Sequence, residues 1–279
     1  MKTFRRFWKL LCGIVLLCGG HLLNAQSYVA SEDEAYFDSY NDGWQTGDQS
    51  GRGFAAWQLF APEYPAEDED RYAGFFIAEA GNEPDLAGAA REGKAFGIFA
   101  NGTGFEETVA FRAFERPLEA EDVFSLLFEF DGFASKFEGD SMGNSTVGIA
   151  LRTMETAGTT VELLRGRAMA LAAIRGLSTY QIIDADPRFN TRVFLDPKGA
   201  EIGITLRPEG RYDLQIRTLT DDVVHHFPGR RLNLGAKESP ASDAPERVRS
   251  FALFNLNGGR NNAYFGALQV SRQEGGDRP

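Results

Sequence analysis

The sequence has very little cysteine and histidine. Its two cysteines, Cys12 and Cys18, lie in the first 25 residues, and beyond them the only histidines are His225 and His226. Residues 26–279 therefore have no disulfide framework, thiol nucleophile or cysteine-ligated metal. Neighbouring residues of a strand face opposite sides, so the two histidines are not expected to share a zinc ion or to build a catalytic triad.

Positive charge is also scarce. The chain has 29 Lys and Arg against 40 Asp and Glu, a net charge of −11, and four of the bases but none of the acids lie in the first 25 residues. The remainder, residues 26–279, carries a net charge of −15. Nucleic acid is excluded as an expected partner, because binding phosphates requires a basic face.

Long apolar runs are missing outside the N-terminus. There, Lys2 and Arg5-Arg6 precede an apolar run from Leu10 to Leu17, and Leu23-Asn24-Ala25 resembles a cleavage site. The run is shorter than the roughly 20 residues that span a bilayer. We predict that residues 1–25 are a cleaved signal peptide and that residues 26–279 form one secreted domain. It is expected in the periplasm, outside the cell or at its surface, without membrane insertion after cleavage.

Apolar and polar residues alternate along much of the chain, as in half-buried antiparallel strands. Phe124, Leu126, Phe128 and Phe130 alternate with Ser125, Glu129 and Asp131. Residues 202–206 and 212–216 alternate on either side of Pro208-Glu-Gly210, which predicts a hairpin. Further strands are predicted near 94–100, 107–113, 147–151, 180–184, 192–195, 223–227, 248–256 and 263–271.

The stretch 161–176 does not alternate. It is rich in Ala and Leu, which suits a helix, but Gly166 interrupts it and predicted strands flank it. We favour two paired strands.

Many short strands, 31 glycines and 23 phenylalanines together predict an all-β fold, a single antiparallel β-sandwich of the jelly-roll type with a phenylalanine-rich core.

Four short blocks carry a resemblance. They are Tyr40-Asn-Asp-Gly-Trp44 with Gly51-Arg-Gly-Phe54 and Trp57; Gly93 to Gly102; Glu121 to Ser125 with Phe130-Asp-Gly132; and Phe254 to Phe265. Together they resemble modules of bacterial secreted and cell-surface proteins with concanavalin-like or laminin-G-like jelly rolls. The resemblance implies a concanavalin-like sandwich and a role associated with polysaccharide. It implies no catalytic residue.

Glu129 and Asp131 are the candidate catalytic carboxylates, because residues i and i+2 of a strand project together and a glycosidase uses two carboxylates. The segment resembles the start of the Glu-x-Asp-x-x-Glu motif of concanavalin-like glucan hydrolases, but Ala134 occupies the last position. We expect no catalytic site here and favour a solvated strand face that ends in an Asp-Gly turn.

Sugar binding would use aromatic rings as platforms beside polar side chains. The candidates have polar neighbours or lie close to such residues; they are Trp44, Trp57, Tyr40, Tyr64, Tyr72 and Tyr264. Burial in the core is the alternative for each of them.

A structural calcium ion is a further possibility, since calcium takes oxygen ligands from loops and the termini of such sandwiches often lie together. The candidate ligands are Asp38, Asn41 and Asp42 near the start and Asn257, Asn261 and Asn262 near the end. Asx turns are the alternative, and no other cofactor is predicted.

The sequence thus predicts an exported, non-catalytic β-sandwich that binds polysaccharide or glycoconjugate. Neutral glycans are favoured by the net negative charge, although a local arginine cluster such as Arg165, Arg167 and Arg175 could override it. The alternatives are a structural or adhesive cell-envelope protein with an unknown protein partner, and a concanavalin-like glycan hydrolase or lyase.

Overall fold

The computed structural model describes residues 27–62, 72–101, 105–133, 145–155, 166–235 and 247–273. These residues form fifteen strands and two single turns of 3-10 helix, Asp38–Tyr40 and Pro208–Gly210. The strands are β1 Ser27–Asp33, β2 Gln58–Phe60, β3 Ala73–Glu79, β4 Lys94–Ala100, β5 Glu107–Ala113, β6 Val123–Phe130, β7 Thr146–Arg152, β8 Arg167–Ile174, β9 Thr179–Ile183, β10 Phe189–Phe194, β11 Ala200–Arg207, β12 Arg211–Thr218, β13 Val224–Arg231, β14 Ser250–Leu256 and β15 Ala263–Gln273.

The strands form two antiparallel sheets that pack face to face, which confirms the predicted all-β sandwich. Sheet I has eight strands in the order β13-β12-β11-β6-β15-β4-β3, and β1 pairs with β15. Sheet II has seven strands in the order β10-β9-β8-β7-β14-β5-β2. Strands distant in sequence become neighbours, as β6 and β15 do, which is the connectivity expected of a jelly roll.

Strong alternation located the strands well. The predicted strands 94–100 and 107–113 coincide with β4 and β5. In the predicted hairpin, Ile202 lies opposite Ile216 and the turn residue Glu209 has a φ of 61°. Strands β1, β2 and β3 were not predicted, because β2 has only three residues and neither β1 nor β3 alternates cleanly.

Two paired strands were predicted for 161–176, but its described part, residues 166–176, holds one strand, β8, whose partners are β7 and β9. Leu171 and Ala173 face the core between the sheets, whereas Ala170 and Ala172 join a second apolar cluster on the outer face of sheet II. A strand buried on both faces has no polar side to alternate, which explains its helix-like composition. Residues 161–165 lie outside the described residues.

Aromatic rings fill much of the space between the sheets, as predicted for the phenylalanines. Phe124 and Phe251 are fully buried with ring centroids 4.9 Å apart, and Phe251 also contacts Trp57. Trp44 packs edge-on against Trp57 at 4.9 Å. The two tryptophans are therefore core residues.

A buried ion pair joins the sheets beside these rings. Arg112 of β5 contacts the Asp33 carboxylate of β1, and both side chains have no exposed surface. Tyr40 donates its hydroxyl hydrogen to Asp33, and the Trp57 indole N–H donates to the Tyr40 oxygen at 3.1 Å. The Arg112 guanidinium also lies 4.8 Å from the centroid of the Trp57 ring. The polar tips of Tyr40 and Trp57 are thus satisfied inside the core.

The connection between β3 and β4, residues 80–93, packs on the outer face of sheet I. Its Leu86 and Ala89 form a buried cluster with Leu127 and Tyr264. Glu129 anchors the connection: one carboxylate oxygen accepts the Ala87 N–H and the other accepts those of Gly88 and Ala89, each at 2.8 Å. Burial raises the pKa of Glu129, and the three N–H groups act in the opposite direction.

Replacing Trp57 by alanine tests its assignment to the core. We expect the free energy of unfolding to fall by about 3–5 kcal/mol, because the change removes a fully buried ring and leaves a cavity. Denaturant titration measures this, with the half-exposed Tyr72→Ala as a control that changes stability by no more than about 0.5 kcal/mol. A Trp57→Ala variant as stable as the control would contradict the assignment.

Replacing Glu129 by glutamine tests the anchor, since an amide donor then faces a backbone N–H. We expect a loss of about 1–3 kcal/mol and faster hydrogen exchange at Ala87, Gly88 and Ala89. The matched control is Asp131→Asn, two residues away and exposed. Unchanged exchange at the three amides in Glu129→Gln would show that the carboxylate does not hold this connection.

Candidate functional site

The two candidate carboxylates do not form an accessible pair. Glu129 has no exposed surface, and both of its oxygens bind the β3–β4 connection. Asp131 follows β6 and lines a cavity of about 250 Å³ with Asp85. Although Asp131 is exposed at the surface, partial desolvation of its carboxyl, and then the Asp85 charge, raise the pKa of Asp131. A glycosidase needs both carboxylates at the same sugar, so the strand-spacing argument for a catalytic pair fails here.

Four of the six candidate aromatic platforms are covered. Tyr40, Trp44 and Trp57 are 2%, 4% and 0% exposed in the core. Tyr264 is 1% exposed beneath the β3–β4 connection, where its hydroxyl donates to Glu83 at 3.2 Å. A sugar ring stacks only on an exposed face, so these four residues cannot serve as platforms in this structure.

The other two candidates differ. Tyr72 is 51% exposed just before β3, and Tyr64 lies outside the described residues. The backbone carbonyl oxygen of Tyr72 accepts the Asn101 N–H at 2.8 Å, just after β4 ends. Tyr72 lines none of the three cavities of about 250, 290 and 510 Å³ that the described residues form.

The six candidate calcium ligands do not converge. The chain ends do meet, because β1 pairs with β15. However, the Asn41 side chain accepts a hydrogen bond from Lys94, at the start of β4. The loop containing Asn257 contacts the other end of β4, where the Gly259 N–H donates to the carbonyl oxygen of Ala100. The two groups, Asp38, Asn41 and Asp42 on one side and Asn257, Asn261 and Asn262 on the other, are thus separated by about 20 Å of strand.

The asparagine side chains of the second group have protein partners instead. The amides of Asn257, Asn261 and Asn262 donate to Ser145, Gly132 and Tyr264, respectively. Among the described residues, no three His, Asp or Glu side chains are grouped to hold a metal ion. The candidate ligands therefore do not fit one calcium site.

A pocket that the sequence analysis did not predict lies at the other end of β15. It encloses about 290 Å³ and we call it the Tyr28 pocket; its lining residues are Tyr28, Val29, Ala30, Ser31, Arg52, Gly53, Glu115, Arg116 and Arg272. The Tyr28 side chain is 45% exposed. An accessible aromatic ring and three guanidinium groups thus share one concave surface.

The Tyr28 pocket is the mouth of the sandwich between the sheets. Tyr28 of β1 lies directly opposite Arg272 of β15. Leu268 and Val270 of β15 face the core, and residues alternate sides along a strand, so Arg272 continues the inward-facing row. Arg116 comes from the connection that follows β5 of sheet II. Both sheets therefore contribute to the pocket.

The Gly51-Arg52-Gly53 turn closes one side. Arg52 and Glu32 exchange two backbone hydrogen bonds of 3.0 and 3.1 Å, which hold the turn on β1. The flanking glycines have φ of 67° and 75°. A Cβ atom added at Gly51 would lie 1.8 Å from the Glu32 carbonyl oxygen, and one added at Gly53 would lie 2.1 Å from Ser31 Oγ. Only glycine on both sides lets Arg52 approach the strand so closely.

Two of the three arginines have acidic partners. Arg52 Nε lies 3.3 Å from Glu32 Oε1 on the surface, and Arg272 Nε lies 3.2 Å from Asp122 Oδ2. Burial raises the pKa of Asp122, and the backbone N–H of Glu119 and the charge of Arg272 oppose that rise. Within the described part of the chain, Arg116 forms no ion pair.

A larger cleft of about 510 Å³ is lined in part by residues 118–120 of the β5–β6 connection. Leu118, Leu206, Leu232 and Val248 line it, and none of its lining residues is aromatic. At its rim Arg207 binds Asp213 through a 2.7 Å hydrogen bond. Without an aromatic ring this cleft lacks a stacking platform, so the Tyr28 pocket is the better candidate for sugar binding.

The sequence offered only a weak signal for the Tyr28 pocket. Gly51-Arg-Gly-Phe54 entered the sequence analysis only as part of a resemblance, although two glycines beside an arginine are a pattern compatible with a close backbone approach. Nothing local connects Tyr28 to Arg272, which lie near opposite ends of the chain. Their pairing exists only once the first and last strands meet.

No protein-family model and no curated protein sequence matches this chain. Several solved structures are similar to it. A legume lectin-like domain from Entamoeba histolytica is 10% identical, with 72% of this chain and 97% of that chain covered and a TM-score of 0.40. The exoplasmic/lumenal domain of VIP36, in a Ca²⁺/Man3GlcNAc-bound form, is 7% identical, with 74% and 86% covered and a TM-score of 0.40.

A family 11 carbohydrate-binding module from Clostridium thermocellum, in complex with a β-1,3-1,4-mixed-linked tetrasaccharide, is 9% identical. The match covers 87% of this chain and 96% of the module, with a TM-score of 0.34.

Within the described ranges, no helix is both long and apolar enough to cross a membrane.

Proposed function

We propose that this protein is an exported, non-catalytic β-sandwich that binds polysaccharide or glycoconjugate through the Tyr28 pocket. One observation carries the proposal: an exposed tyrosine ring lies in a concave pocket with three arginine side chains. A pyranose presents an apolar face of C–H groups and a rim of hydroxyls. The ring takes that face, and the guanidinium groups donate hydrogen bonds to the rim.

The position of the Tyr28 pocket suits a polymer. It lies at the open end of the sandwich, and two of the strand residues that line it, Tyr28 and Arg272, are held opposite each other by the β1–β15 ladder. A site on paired strands loses little conformational entropy on binding. The N-terminal pattern of residues 1–25 supports export to a place where such polymers occur.

A protein-contact function has one observation in its favour. Phe194 at the end of β10 is 68% exposed, and Val223 and Val224 at the start of β13 are 42% and 40% exposed. Both strands are sheet edges, which readily pair with other chains. This second candidate predicts a complex with an envelope protein and no affinity for glycans.

Depletion from solution by a panel of insoluble and soluble polysaccharides tests the proposal, with calcium and with chelator and with reducing ends followed throughout. We expect retention without product, and a loss of about tenfold or more in affinity for Tyr28→Ala because the stacking ring is removed. The matched control is Tyr36→Ala, a surface tyrosine that is 37% exposed and does not line the pocket.

Each other result counts against the proposal. Equal losses in Tyr28→Ala and Tyr36→Ala would exclude the pocket as the site. Release of reducing ends would exclude a non-catalytic role. Absence of retention on every glycan would exclude glycan binding and favour the protein-contact function.

A further inference from the structure

We infer that the Tyr28 pocket recognises the carboxylate of an acidic sugar, such as a uronic acid residue of a polysaccharide. The inference rests on the proposed function, because it concerns the same pocket. The net negative charge of the whole chain favours neutral glycans, but recognition depends on the groups that touch the ligand. In this pocket those groups include three arginines.

Arg272 is the first reason. Arg272 is only 8% exposed, yet two of its donor atoms, Nε and Nη2, make poor hydrogen-bond contacts. Nη2 donates a long bond of 3.4 Å to the Arg116 carbonyl, and Nε has no aligned acceptor although Asp122 lies 3.2 Å away. A buried charged donor without good acceptors costs free energy. A carboxylate in the pocket would supply acceptors for this guanidinium group.

Arg116 is the second reason. Its side chain is exposed, lines the Tyr28 pocket and has no ion-pair partner among the described residues. Arginine binds carboxylates through two parallel N–H bonds, a geometry that lysine cannot offer. Arg116 can turn this fork towards a ligand without first breaking an existing ion pair.

Tyr28 fixes the orientation of such a ligand. It stands directly opposite Arg272, and side chains in that relation have Cβ atoms about 4.5–5.5 Å apart. A uronic acid carries its carboxylate at the edge of the pyranose ring. The ring can therefore stack on Tyr28 while its carboxylate reaches the neighbouring arginines.

The acidic residues around the Tyr28 pocket limit the charge of the ligand. Glu32 and Asp122 pair with two of the arginines, and Glu115 lines the wall. Three acids thus face the three arginines, and the pocket has no net positive charge. This balance favours one carboxylate per site over a polysulfated chain, which would also meet repulsion from the net charge of the chain.

Calorimetry with one glycan in two forms tests the inference: an oligogalacturonate, and the same oligosaccharide after reduction of its carboxyl groups to alcohols. The protein is expressed from the whole 279-residue sequence. We expect the acidic form to bind about tenfold or more tightly, as befits a charge-assisted bidentate contact. This preference should shrink as salt is raised.

Variants assign the preference to the pocket. Arg116→Gln is expected to weaken binding of the acidic form about tenfold and that of the reduced form much less, because a glutamine amide can still donate to a hydroxyl but carries no charge for the carboxylate. Arg52→Gln makes the same test at the second exposed arginine of the pocket. Arg188→Gln is the control, because Arg188 is exposed and lies outside the pocket. Tyr28→Ala should weaken both forms. Thermal melting verifies that each variant is folded.

The possible failures are distinguishable. Equal affinity for the two forms, or a loss in Arg188→Gln equal to that in Arg116→Gln, would overturn carboxylate recognition and leave glycan binding intact. Displacement of the acidic form by equal molar sulfate would also overturn it in favour of a general anion site. Binding of neither form, together with Tyr28-dependent retention of a neutral glycan, would refute only the acidic ligand. No glycan binding of any kind would refute the proposed function itself.

Discussion

The buried ion pair between Arg112 and Asp33 is the interaction on which the arrangement of the sandwich mouth depends. It joins β5 of sheet II to β1 of sheet I with no exposure of either side chain. Breaking such a pair by removing one partner leaves an uncompensated charge and costs about 3–5 kcal/mol. Because β1 is fixed in this way, Tyr28 and Ser31, on the same strand, are held where the pocket opens.

The same ion pair explains the polar surroundings of the aromatic residues in the first part of the chain. Tyr40 and Trp57 each have a polar tip, and a buried charge gives those tips partners inside the core. A sugar platform and a core aromatic of this kind have similar sequence neighbours. They differ only in whether the ring face is exposed, and here the opposite sheet covers it.

The ends of β15 have different chemistry. At its start, asparagine amides bind backbone and side-chain oxygens and so stabilise the loops. At its end, about 30 Å away along the strand, Arg272 lies in the Tyr28 pocket, and its Nε has no aligned hydrogen-bond acceptor although Asp122 lies 3.2 Å away. A buried donor without an aligned acceptor calls for an explanation, and a ligand that supplies an acceptor is one. This contrast supports our proposal of the second end as the binding site.

The sequence by itself determined the fold class and most strands, because alternation is a local property of neighbouring residues and a sheet with one buried face imposes it directly. It located β4, β5 and the β11–β12 hairpin in this way. Only the tertiary structure decided which polar and aromatic residues were free to act. Both oxygens of the Glu129 carboxylate bind backbone amides of residues 87–89, and Tyr28 lines a pocket with Arg116 and Arg272. Those partners are distant in sequence, so their effect arises only when the sheets pack.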